Sequence, residues 1–182
     1  MKLREQNSHM VRVYDEALPS NLCEKLIKLF ESWKHGQEYL NEDFKPCFTQ
    51  INVNLHPKPY VKKILPYVRR VYDDYKKDTI SYYLPKLSLL EEFRVKRYKT
   101  GGVERFDEHV DVASYDTARR CLAFLFYLND SDGKTVFTRH GLSISPMCGR
   151  VVVFPPTWEY PHAGLAPSTK TKYIMSTYLH YG

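Results

Sequence analysis

The sequence has no Cys-x-x-Cys pair. Its four cysteines, Cys23, Cys47, Cys121 and Cys148, stand far apart, which excludes a zinc cluster or a disulfide framework and suits a reducing compartment. They read as packing residues. A long apolar run is also missing: the longest, Cys121 to Leu128, is far too short to cross a bilayer. No charged-then-apolar leader opens the chain, so a cytoplasmic protein with no membrane partner is expected. Repeats, low-complexity tracts and long linkers are absent too, which leaves one domain. Ser8-His9-Met10 reads as a cloning remnant before a native start, so the expected domain runs over residues 11–182, with 1–10 outside it.

What is present fits that picture. The chain has 182 residues, 43% hydrophobic and 26% charged, enough for one domain with a sizeable core. The net charge of +6 raises the question of a nucleic-acid partner. The basic residues are dispersed, however, and many lie beside acids on expected helices. Solvated helix faces account for them.

The periodicity changes along the chain. Residues 18–35 read as a helix, with Ser20 or Asn21 as cap and Glu24 at capping-box spacing. Leu22, Leu26, Ile27, Leu29, Phe30 and Trp33 form its apolar stripe. A second helix spans 59–77, with Val61, Ile64, Leu65, Val68, Val71, Tyr72 and Tyr75 on one face. Pro66 falls inside it and should kink or divide it. Beyond residue 90 the pattern becomes short strands at 92–98, 107–112, 119–128, 135–138, 142–145, 149–154 and 172–179. Residues 47–55 alternate and add another. Helices first and many short strands after them argue for an α+β domain built on a sandwich or barrel.

Three segments carry chemistry. In His109-Val110-Asp111, strand alternation would put an imidazole and a carboxylate on one face, where they can share a ligand. His162 follows in a loop-like Tyr-Pro-His-Ala-Gly. Two histidines and one carboxylate can occupy one face of a six-coordinate iron(II), leaving three positions open, although zinc or manganese could use the same ligands. Lys172 opens a strand in which Lys172, Ile174, Ser176 and Tyr178 share one face. Both faces are largely apolar, so Lys172 should point inward and need an anionic partner. A dicarboxylate such as 2-oxoglutarate would supply one, with Ser176 as a donor beside it. Tyr98 and Tyr127 end neighbouring strands and could each offer a phenolic hydroxyl.

Taken together, residues 93–180 resemble the prolyl 4-hydroxylase-like branch of the 2-oxoglutarate dioxygenase superfamily. The resemblance runs through Tyr98, Gly101-Gly102, His109-Asp111, Tyr127-Leu128-Asn129, Thr135-Val136-Phe137, Pro146-Met147-Cys148-Gly149-Arg150, Phe154-Pro155, His162-Ala163-Gly164 and Lys172. The opening segment 17–26 is similar to the family's first helix. The resemblance implies a double-stranded β-helix, or jelly roll, with N-terminal helices packed on its outer sheet. It implies iron ligation by His109, Asp111 and His162, and 2-oxoglutarate held by Lys172 with Tyr98, Tyr127 and Ser176. Arg139, His140 and Trp158, in loops near the expected mouth, would meet substrate. Asp132-Gly133-Lys134-Thr135 stands where the family carries Gly-Gly-Glu-Thr, and lysine at 172 is the prolyl 4-hydroxylase variant of a position often filled by arginine.

The expected activity is therefore iron(II)- and 2-oxoglutarate-dependent hydroxylation of an unactivated C–H bond. Dioxygen is the co-substrate and ascorbate an optional reductant. Family analogy favours a prolyl residue of a peptide or protein as substrate. Two rival enzymes are a hydroxylase of a free amino acid or other small molecule, and a nucleic-acid demethylase. The demethylases of this superfamily carry an arginine pair six residues apart, where this chain has Lys172 and Tyr178. The third reading is a non-catalytic jelly-roll binding module. Oligomeric state is not readable from the sequence.

Overall fold

The computed structural model describes residues 2–6, 10–42, 46–79 and 82–182. Of the stretch set aside above, residues 1 and 7–9 lie outside the described residues, while β1 (Lys2–Gln6) pairs with β2 (Arg12–Asp15). Helix α1 (Ser20–Ser32) follows, then β3 (Gln37–Asn41), β4 (Cys47–Asn52) and helix α2 (Tyr60–Thr79). The remaining strands are β5 (Arg94–Tyr98), β6 (Phe106–His109), β7 (Arg120–Tyr127), β8 (Thr135–Phe137), β9 (Leu142–Ile144), β10 (Val151–Phe154), β11 (His162–Gly164) and β12 (Lys172–His180).

Two antiparallel sheets result. The larger runs β1-β2-β10-β7-β12-β5-β4-β3 and the smaller β6-β11-β8-β9. Period-two alternation sorts the side chains of the large sheet. Leu122, Phe124 and Phe126 of β7, with Met175 and Leu179 of β12, join one buried cluster with Leu26, Phe30, Val68 and Tyr75 of the helices. Ala123 and Tyr127 of β7, Ile174 of β12 and Tyr98 of β5 join a second cluster, which also contains Phe137 and Ile144 of the small sheet. The functional cavity opens within that second layer.

Several local expectations change. Helix α1 is capped by Pro19, with no side-chain cap; Leu22 and Cys23 donate their N–H groups to the Pro19 carbonyl. Ser20 is already helical, so neither it nor Asn21 can cap. Pro66 does not divide α2, which runs unbroken for 20 residues. The carbonyl that loses its partner belongs to Lys62, and both Lys62 and Pro66 are exposed, so the freed carbonyl lies where solvent can reach it. Leu65 beside it is also exposed rather than packed. Cys23, Cys47 and Cys121 are buried as packing residues, whereas Cys148 is exposed. No helix among the described residues is long and apolar enough to cross a membrane.

Candidate metal centre

His109 ends β6 and His162 opens β11; the two strands pair with these residues opposite each other. The loop expected around His162 is therefore a short strand, and its pairing sets the two imidazoles 4.4 Å apart between centroids. Asp111 lies two residues beyond the end of β6, so strand alternation does not align it with His109. Other contacts do. The Arg120 guanidinium donates to the Asp111 main-chain oxygen at 2.8 Å, and the Tyr178 hydroxyl donates to Oδ1 at 2.7 Å. His109 Nε2 stands 3.6 Å from Oδ1 and His162 Nε2 stands 3.6 Å from Oδ2. One donor atom from each residue falls within a 4.8 Å group that could hold a metal ion.

The donor chemistry suits a cation. His109 Nδ1 bonds the Asp107 carbonyl at 2.8 Å and His162 Nδ1 bonds the Tyr160 carbonyl at 3.1 Å. A carbonyl only accepts, so each Nδ1 carries the hydrogen and each Nε2 lone pair faces the centre. Phe106 stacks on His109 at 3.4 Å, and Phe154 meets His162 edge-on at 4.9 Å, which fixes both ring planes. Burial holds His162 below its ordinary value, hence neutral, although the Asp111 charge opposes this. Burial alone would raise Asp111; the positive charge the imidazoles carry when protonated and the hydrogen bond from the Tyr178 hydroxyl outweigh it and hold the carboxyl well below its usual range.

Lys172 closes the inner end of the cavity. It is 1% exposed, and its register partner across β5 is Tyr98, whose ring lies 4.2 Å from the ammonium. Nζ donates to the Leu165 carbonyl at 2.9 Å. An ammonium has three donors, so two remain for an anion. Burial pushes Lys172 down to about 7, with the distant Asp132 opposing. The inward face read from the sequence is present: Lys172, Ile174, Ser176 and Tyr178 all line the cavity, as does Tyr98. Tyr127 does not. Its hydroxyl donates to Thr135 Oγ1 at 2.7 Å, and Thr135 is the residue that reaches the cavity wall. Asp132, in the segment that departs from the family pattern, accepts from the Ser168 and Thr169 main-chain N–H groups and shapes the turn before β12.

The cavity opens into a surface groove. Lys96, His109, Asp111, Ser176 and Tyr178 line both spaces, and Arg94, Glu91 and Arg120 line the groove alone. Arg139, His140 and Trp158 are not among the lining residues of either space. They form their own surface group, with the Arg139 guanidinium 5.2 Å from the exposed Trp158 ring and His140 bonded to the Glu159 carbonyl.

Sequence reasoning missed Lys96, Arg120, Glu91 and the roles of Thr135 and Tyr178 in this site. His180 bonds Glu91 Oε1 at 2.6 Å, and Glu91 in turn holds Arg120 through two oxygens. Only alternation on β5 and β12 carried a signal, placing Lys96 with Tyr98 and Tyr178 with Lys172.

Comparison with solved structures finds the same fold in three prolyl hydroxylases. One is a viral collagen prolyl hydroxylase from Paramecium Bursaria Chlorella virus-1, in a 2OG complex, 20% identical with a TM-score of 0.74 over 96% of this chain and 98% of that one. The second is a Pseudomonas putida prolyl-4-hydroxylase, 17% identical with a TM-score of 0.75 over 96% and 94%. The third is a Trichoplax adhaerens prolyl hydroxylase in complex with a hypoxia inducible factor oxygen degradation domain peptide fragment, 14% identical with a TM-score of 0.74 over 96% and 84%. A search of curated proteins returned no match. Residues 93–180 match the family model of the 2OG-Fe(II) oxygenase superfamily. That match covers the part of the chain that carries His109, Asp111, His162 and Lys172, and marks residues 93–180 as a 2OG-Fe(II) oxygenase domain, that of a 2-oxoglutarate-dependent dioxygenase.

Proposed function

We propose that the protein hydroxylates a prolyl residue of a peptide or protein, using iron(II), 2-oxoglutarate and dioxygen. The observation that carries the chemistry is the pairing of a two-histidine, one-carboxylate face with a buried, under-partnered lysine in the same cavity. One solved structure of this fold is named a collagen prolyl hydroxylase and another a prolyl hydroxylase in complex with a hypoxia inducible factor peptide fragment, and the groove beside the centre has room for an extended chain. The double-stranded β-helix with helices on its outer sheet belongs to the same reading.

His109, Asp111 and His162 would hold iron(II), which when bound supplies activation of dioxygen coupled to oxidative decarboxylation of 2-oxoglutarate. The protein's part is positional. Lys172 would take the far carboxylate of 2-oxoglutarate with its two remaining donors, over the Tyr98 ring. Ser176 would add a hydroxyl from the same face, and Tyr127 would act through Thr135. The Tyr178 hydroxyl keeps Asp111 ionised and oriented. Phe106, Phe154 and Ile174 exclude water from the reacting centre. Arg139, His140 and Trp158 would meet the substrate chain outside the groove.

Thermal unfolding of metal-free protein with manganese(II), with and without 2-oxoglutarate, tests the cofactor site. A ligand at about 100 times its dissociation constant adds roughly 2.7 kcal/mol. Stabilisation by 2-oxoglutarate should require metal and vanish in His109→Ala. Succinate release with proline-containing peptides, ascorbate present, then tests the substrate class; release with no prolyl peptide would sink that part of the reading.

A further inference from the structure

The charged groups on the groove floor fall into pairs, with one exception. Arg94 bonds Glu92 at 2.9 Å, and Arg120 bonds both oxygens of Glu91 at 2.6 and 2.9 Å. Lys96 has no such partner: among the described residues no carboxylate or carbonyl lies within hydrogen-bonding distance of its ammonium. The Phe48 ring lies 5.1 Å from it, and Asp111 and Glu91 act on its charge only through space, against Arg94 and Arg120. An ammonium kept half-buried against an aromatic ring and left without an acceptor costs stability, unless something else fills its donors.

The register of β5 on β12 says which ligand that is. Tyr98 pairs with Lys172, Lys96 with Ile174 and Arg94 with Ser176. Along β5 these side chains succeed each other at about 6.6 Å on one face, because alternate residues share a face. Tyr98 and Lys172 belong to the closed end proposed for 2-oxoglutarate. Arg94 belongs to the open groove. Lys96 sits between them and lines both spaces, beside His109 and Asp111. Its ammonium therefore faces the place where the reacting part of a substrate enters, one step along the strand from the cosubstrate end.

We propose that Lys96 recognises a carboxylate carried by the substrate next to the carbon that is oxidised. The inference rests on the dioxygenase reading of the same cavity and narrows its substrate class. Two sources present that chemistry: the α-carboxylate of a free amino acid, and an acidic side chain adjoining the target residue in a peptide. A neutral peptide or a nucleobase could offer only uncharged acceptors, which would leave the ammonium's charge without a counter-ion.

The test uses the full chain loaded with manganese(II) and saturating 2-oxoglutarate. Binding beside the metal is read from paramagnetic broadening of the probe's proton resonances, which needs no turnover. One arm compares L-proline with L-prolinamide. The other compares acetyl-Pro-Glu-amide with acetyl-Pro-Gln-amide. The expected result is that in at least one arm the carboxylate binds about tenfold more tightly than its amide, a difference of about 1.4 kcal/mol. Lys96→Met should bring that ratio to near one while leaving 2-oxoglutarate affinity unchanged, and Lys96→Arg should keep it. If Lys96→Met does not fold, Lys96→Gln replaces it.

Equal binding of acid and amide in both arms overturns the proposal, as does a ratio that survives Lys96→Met. A carboxylate probe displaced by more 2-oxoglutarate also overturns it, since that places the anion at Lys172. A carboxylate preference without succinate release from any prolyl probe would leave Lys96 as the reader and retire the prolyl substrate. Failure of manganese(II) and 2-oxoglutarate to bind at all would remove both readings together.

Discussion

Lys172 bears opposite demands from stability and from ligand binding. Its ordinary value near 10.5 falls to about 7 because burial disfavours the ammonium. Between those values the unfolded chain binds more protons than the folded one, so stability of the ligand-free protein should rise as pH climbs from 7 to 10.5. Only the charged form can hold a carboxylate, so affinity for 2-oxoglutarate should fall above pH 7, by up to about tenfold per unit. Titration calorimetry with manganese(II) at pH 6.5, 7.5 and 8.5 would read this; a flat profile contradicts it. Lys172→Arg should flatten the profile, because guanidinium stays charged throughout. Lys172→Met should raise ligand-free stability by about 1–2 kcal/mol and abolish 2-oxoglutarate binding. Tyr178 presents a second residue-level case. Its hydroxyl orients Asp111 without touching the metal position itself, so Tyr178→Phe should weaken manganese(II) binding by about 10-fold or more. An unchanged dissociation constant by competition with a chelator would show that Arg120 alone suffices.

At the scale of elements, the site depends on where strands end. β6 stops at His109, and the chain turns there so that Asp111 is reached from outside the sheet. β11 supplies only three residues, yet its register with β6 brings His162 opposite His109. The turn before β10 is equally constrained. Gly149 has φ +79°, its carbonyl accepts from the N–H groups of Ala17 and Leu18, and a Cβ there would stand 2.3 Å from the Leu18 carbonyl oxygen. Gly149→Ala should therefore cost about 1–3 kcal/mol through both backbone strain and a broken junction between the segment before α1 and the large sheet. Chemical denaturation would measure it, and a loss below about 0.5 kcal/mol would mean the junction relaxes freely.

For the whole molecule, ligand linkage is the sharpest prediction. Protein carrying manganese(II) and 2-oxoglutarate should melt higher than metal-free protein, by roughly 2–4 °C for each kcal/mol gained in a chain of this size. A chelator should reverse that shift completely; a melting point indifferent to the chelator would separate metal binding from stability. The net charge of +6 is a whole-molecule property too. On the groove floor Arg94 and Arg120 are paired with Glu92 and Glu91, which offsets part of that charge locally.

The sequence by itself picked out the three residues of the candidate metal face and the inward face of β12. His109, Asp111, His162 and Lys172 are legible because residue type and spacing carry their chemistry, and Lys172, Ile174, Ser176 and Tyr178 because period two survives in any extended strand. Helices α1 and α2 were legible from their apolar stripes, but the proline cap of α1 and the unbroken course of α2 through Pro66 depend on local exposure. Strands β2 and β3 went unread, being short, with β3 mostly exposed. β11 read as a loop because prolines bracket it. Only the tertiary structure decided that Asp111 is steered by Arg120 and Tyr178, that Tyr127 stops at Thr135, and that Lys96 stands unpaired between cavity and groove. These contacts join residues from different strands. They follow from sheet register, which is set by the packing of whole faces and which no local pattern records.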